Sequence, residues 1–134
     1  MTLIEFINET DMVLTSEMVD HNPHMDGSDI MDNYKIKLRG KRLGGSTTRL
    51  YFSKGTGHNG AVLTVGEVLD CMASDAAGIE NANGFEDWCN EYGYDADSRK
   101  AEKVFKACER QARRLKRFLG SEYYEALLWN IERL

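Results

Sequence analysis

The sequence predicts an α+β protein, with a small antiparallel sheet of about three strands in the N-terminal half packed with a C-terminal cluster of about four helices. Three observations predict it. Before residue 54, apolar and polar residues alternate with the period of a strand, and β-branched residues are frequent. After Thr64, apolar residues recur at the spacing of a helix face. The stretch KGTGHNG, from Lys54 to Gly60, separates the two regimes with the permissive backbone of a loop. The chain has 134 residues and no repeat, low-complexity tract or linker, so residues 1–134 are expected to form a single domain.

Thr2 and Glu5 have the spacing of a capping box, and Leu3, Ile4, Phe6 and Ile7 supply an apolar side, which predicts a short opening helix. Met12 to Asp20 (MVLTSEMVD) reads as a strand. The next segment, HNPHMDGSDIMDN, holds the only proline and several Asp and Asn, and is expected to be an exposed loop. A hairpin follows. Tyr34, Ile36 and Leu38 alternate with Lys35, Lys37 and Arg39, and on the return strand Thr48, Leu50 and Phe52 alternate with Arg49, Tyr51 and Ser53. Gly40, Gly44 and Gly45 suit the turn.

Thr64 and Glu67 repeat the capping-box spacing ahead of a helix with Val68, Leu69, Met72, Ala73 and Ala76 on its core side and Gly78 as its expected stop. A second short helix carries Phe85, Trp88, Cys89 and Tyr92 and ends at Gly93. The longest helix is expected to start at Asp95 or Asp97 as N-cap and to run to Leu119, before Gly120. Ser121 then caps a last helix bearing Tyr124, Leu127, Leu128 and Ile131. Trp129 projects away from those residues, toward Glu122, Glu125 and Glu132. Either that helix packs on two sides or shields this ring locally, or Trp129 is an exposed anchor for a partner protein.

Charge divides this chain more sharply than its net value of −5 suggests. Every charged residue up to Asn33 is acidic, and every one from Tyr34 to Lys54 is basic. From Gly55 to Ser98 all are acidic again, and the segment after that is mainly basic. On the long helix Ala101, Val104, Phe105, Cys108, Ala112, Leu115 and Leu119 form the apolar seam. Arg99, Lys103, Lys106, Arg110, Arg113, Arg114 and Arg117 form the opposite stripe, with Glu102 and Glu109 at its flank. Like charges at i,i+4 repel, so the stripe meets either solvent, the chain's own carboxylates or an outside polyanion. The hairpin adds Lys35, Lys37, Arg39 and Arg49, with Tyr51 available to stack on a base. These twelve residues are the candidate partner-binding set. The acidic blocks oppose nonspecific binding of nucleic acid; they serve solubility or imitate a phosphate backbone.

No motif establishes catalysis. Gly55, Gly57 and Gly60 spell GxGxxG, but they follow a hairpin strand rather than opening a parallel βαβ unit, and read as a tight connection. His21 and His24, with Asp20 and Asp26, lack two further fixed ligands for a metal. His58 could serve Ser53, Cys71 or Ser74 as a base, with Asp70 or Asp75 orienting it; the competing role is bracing the glycine loop. No cofactor, no metal and no enzymatic activity are expected. Cys71, Cys89 and Cys108 are odd in number, form no CxxC pair and read as reduced thiols. The start, MTLIEFINETDM, does not resemble a secretory signal, and no apolar run could span a bilayer.

In the strings YFSKGTGHNG (51–60), DCMASDAAG (70–78) and FEDWCNEYGYDADSRKAEKVFKACERQARRLKRFLG (85–120), the chain resembles a family of small proteins encoded by bacteriophages and prophages. The resemblance covers most of the chain and carries over no catalytic residue. It implies a mobile-element product acting in the bacterial cytoplasm. Together with the segregated charge, it leads to the expectation of a non-enzymatic protein that binds a host nucleic-acid-handling complex, as anti-CRISPR inhibitors do. The alternative expectation is a direct DNA- or RNA-binding protein using the basic hairpin and helix stripe.

Overall fold

The computed structural model describes residues 1–23, 30–40, 47–55 and 64–133, and the side chains of 1–15, 37–40 and 64–133. In chain order these are α1 (Leu3–Glu9), β1 (Val13–Pro23), β2 (Ile30–Arg39), β3 (Thr47–Gly55), α2 (Val65–Asn81), α3 (Phe85–Tyr92) and α4 (Arg99–Glu125), closed by a π-helical segment (Ala126–Asn130). The fold is α+β, with an antiparallel sheet of order β1-β2-β3 and the larger helices after it.

The capping box of α1 forms as its spacing predicts: Thr2 N donates to Glu5 Oε2 at 3.0 Å and Glu5 N donates to Thr2 Oγ1 at 3.2 Å. Thr64 likewise takes the N–H of Glu67, at 3.1 Å. The long helix corrects the sequence reading. Asp95 spends its carboxylate on the N–H of Asp97 (3.0 Å), so Ser98 becomes the N-cap and accepts from Ala101 N at 3.0 Å.

The sheet is longer than expected. His21, Asn22 and Pro23 belong to β1 and Ile30 to Asn33 belong to β2, paired from Val13↔Arg39 through to Pro23↔Ile30 with a register shift between Met18 and Asp20. Position explains why proline is tolerated. Pro23 is the last residue of an edge strand, where a missing N–H does not break the central ladder. The hairpin glycines Gly44 and Gly45 lie outside the described residues.

Gly78 does not stop α2, which continues to Asn81 and ends where Ala82 turns extended. Its missing side chain serves a close approach instead. A Cβ at Gly78 would stand 2.2 Å from Tyr92 Oη, so the tyrosine of α3 reaches across α2 at this point. Gly120 does divide α4. Its φ of 80° and ψ of 161° lie in a region open essentially to glycine alone, and the chain leaves it in a new direction.

The core has two parts. The larger contains Phe6, Met12 and Leu38, the α2 face from Val68 to Ala76, and Ala112, Leu115, Phe118, Leu119, Tyr124, Leu127, Leu128 and Ile131. The smaller is aromatic. Trp88 stacks on Tyr94 with centroids 5.0 Å apart and meets Phe105 edge-on at 5.3 Å, over Cys89 and Ala101. The seam of α4 serves both, its first half facing the aromatic cluster and its second half the larger core. Tyr124 Oη ties the last arm to α2 by donating to Glu80 Oε1 at 2.9 Å. Trp129 remains 46% exposed, so this arm buries one side rather than two.

Candidate macromolecular interface

The 3.6-residue period that buries Ala101, Ala112, Leu115 and Leu119 turns the opposite side of α4 to water. Arg99, Lys103, Lys106, Arg110, Arg113, Arg114 and Arg117 are all exposed. At 1.5 Å rise per residue they line a stripe roughly 27 Å long. Phe118, absent from the predicted seam, is also buried, so the apolar side is wider than the sequence reading gave it.

The described carboxylates do little to neutralise this stripe. Among the described residues its one ion pair is internal: Lys106 Nζ meets Glu102 Oε1 at 2.7 Å, with both side chains more than half exposed. The hydrogen bond and charge of Lys106 hold the Glu102 carboxyl below its ordinary value. One acid of α2 acts on the seam instead. Asp75, whose own carboxyl is raised by partial burial, helps burial push the Cys108 thiol up to about 11, on the seam side of α4.

The hairpin residues occupy neighbouring register positions. Lys37 lies between Thr15 of β1 and Arg49 of β3, and Lys35 lies between Glu17 and Tyr51. Two basic residues, Lys37 and Arg49, are thus cross-strand partners in the register. Lys37 and Arg39 are exposed, whereas the side chains of Lys35, Arg49 and Tyr51 lie outside the described residues. β3, the strand carrying Arg49, also contacts α4. The two candidate basic sets thus stand on adjacent elements.

Other sequence candidates resolve differently. Gly55 closes a strand of an antiparallel sheet, which is not the parallel unit a dinucleotide fingerprint requires. Gly57, Gly60, His58, His24 and Asp26 lie outside the described residues, and His21 lies in β1 rather than in a loop. Among the described residues no group of three or more His, Cys, Asp or Glu is arranged to hold a metal. Cys89 is buried, Cys108 half-buried and Cys71 exposed. No described helix is long and apolar enough to cross a membrane.

Fold and surface together define an α+β protein that carries an extended cationic helix face. Comparison with protein-family models, with curated proteins and with solved structures finds no match to this chain.

Proposed function

We propose that this chain is a non-enzymatic protein of bacteriophage or mobile-element origin that binds a host nucleic-acid-handling complex and blocks or modulates it. Its setting, the bacterial cytoplasm, rests on the family resemblance of the quoted strings. Its contact surface rests on one observation, the exposed cationic stripe of α4 with a single carboxylate partner among the described residues. Such a stripe speeds encounter with a negative surface and orients the bound protein, while the acidic blocks weaken attachment to bulk nucleic acid. The test is affinity capture from bacterial lysate followed by mass spectrometry. Recovery of a nucleoprotein complex by the wild type, and its loss with Arg110→Glu and Arg113→Glu together, is the expected result. Capture that survives this charge reversal overturns the reading.

The Lys37–Arg49 pairing favours a second reading, direct binding of DNA or RNA. Binding through phosphates would weaken with salt at a slope of roughly −0.9 per phosphate neutralised on a duplex. Gel shifts on DNA and RNA separate the two readings, because absence of any shift at low salt excludes the second and leaves the first standing.

A further inference from the structure

The chain from Ser121 to Arg133 is an arm joined to the rest of α4 through one residue. Helical backbone precedes Gly120 and resumes after it, and only Gly120, at φ 80° and ψ 161°, leaves the helical region. A Cβ at Gly120 would meet nothing within 4 Å, so backbone angles and not space call for glycine there. The arm buries Tyr124, Leu127, Leu128 and Ile131 in the larger core. Its other ties run to α1 and α2. Tyr124 Oη donates to Glu80, Glu132 bridges to Thr2, and Arg133 Nε lies 3.2 Å from Asp70 Oδ1. Tyr123 meets the Phe6 ring edge-on, with centroids 5.8 Å apart.

That seat can be filled in two ways. With Gly120 as it stands, the arm folds back onto its own core. With helical angles at Gly120, α4 runs straight into the arm, which then leaves its seat empty for the arm of a second copy. Each tie named above joins the arm to residues outside it, so all of them re-form between copies. The same holds for Lys116, whose ammonium lies 5.7 Å from the Tyr124 ring centroid. In a straight helix these two residues are roughly 12 Å apart along the axis, so the contact needs a folded-back or an exchanged arm. Only the hinge differs between the two forms. Glycine favours the folded-back one, because it enters positive φ freely and weakens a helix interior.

We propose that Gly120 is a hinge through which two copies of this chain exchange their terminal arms, giving a two-fold dimer in which α4 is continuous. In dilute solution the arm closes on its own core, which is always nearer than a second one. Refolding at high concentration lets an arm meet another core first. The exchange requires no host partner, and the dimer carries two cationic stripes in place of one. A side chain at position 120 reverses the preference, since the folded-back arm is then strained and the exchanged arm is not. The strain shifts the balance roughly 30-fold per copy, and roughly 1000-fold for the pair.

The test unfolds the wild type and Gly120→Ala in urea, refolds each at low and at high concentration, and sizes the products by gel filtration with light scattering. The wild type should be monomeric after dilute refolding and give a slowly separating dimer fraction after concentrated refolding. Gly120→Ala should be dimeric where the wild type is monomeric, with a dissociation constant roughly 1000-fold lower. Refolding labelled with unlabelled chains locates the arm. Nuclear Overhauser effects between the Tyr124 ring and the Glu80 side chain should pass between copies in the dimer and stay within one chain in the monomer. A dimer in which they stay within one chain overturns the exchange, as does a Gly120→Ala protein that is folded and monomeric at high concentration. Where Gly120→Ala does not fold, the concentrated wild type decides, and absence of its dimer fraction overturns the proposal.

Discussion

Replacing Gly78 with alanine sets two effects of similar size against each other. Inside a helix, Gly→Ala gains about 1 kcal/mol from backbone entropy and propensity. At Gly78 the new Cβ would stand 2.2 Å from Tyr92 Oη, 2.9 Å from Cζ and 3.1 Å from Cε2. No tyrosine can hold that position. The ring is 51% exposed, so it swings into solvent rather than forcing the helices apart. That movement takes it off Trp88, whose centroid is 5.5 Å away, and an aromatic pair of this kind contributes about 1 kcal/mol. Gly78→Ala alone should therefore change stability by less than about 0.5 kcal/mol, because the helix gain and the aromatic loss offset. In a Tyr92→Ala background the obstacle is gone, and the same substitution should stabilise by about 1 kcal/mol. Urea unfolding followed by tryptophan fluorescence gives the four stabilities of the cycle, with a coupling of about 1 kcal/mol expected. An identical gain in both backgrounds refutes the close approach of Tyr92 to α2.

Three further outcomes follow from local geometry. Gly120→Ala should lower stability by about 2 kcal/mol in chemical denaturation, since its backbone angles are nearly closed to other residues. Ser98→Ala should cost about 1 kcal/mol, and Asp97→Ala clearly less, because Ser98 holds the cap bond. Cys108 links stability to alkaline pH. The folded state holds this thiol's proton up to about 11, while the unfolded chain releases it in the ordinary thiol range. Its contribution is therefore complete below that ordinary range and is lost as pH rises through about 11. Denaturation profiles of the wild type should fall more steeply across this window than those of Cys108→Ala.

Periodicity made much of this architecture legible. The seam of α4 follows from apolar spacing alone, and the Thr2–Glu5 box follows from two residues at the right separation. Legibility failed where one residue had competing uses. Asp95, Asp97 and Ser98 all suit a helix start, and the choice depends on which acceptor is already taken. Gly78 resembles a stop signal, but its reason for being glycine lies on α3. The polar stretch after Asp20 lacks strand-like side chains, and extends β1 and β2 through backbone pairing, which composition does not record. The same limit applies to the surfaces. The basic stripe is local to one helix and readable from spacing. The ion pair of Asp70 with Arg133 and the approach of Tyr92 to Gly78 join distant segments, and no pattern along the chain announces those meetings.

Thr2 and Glu132 form a parallel bridge, with Glu132 N donating to Met1 O at 3.0 Å and Leu3 N donating to Glu132 O at 3.2 Å. The path of the backbone is thereby almost a closed circuit. Where such a circuit is opened matters little to the packing inside it. A permutant with residues 134 and 1 joined through a short linker and the chain opened in the exposed connection at Asn83–Gly84 would keep every helix and strand whole and place the new ends at the start of α3. A label or fused domain placed there would sit beside Glu86 and Asp87 and leave the arginines of α4 open.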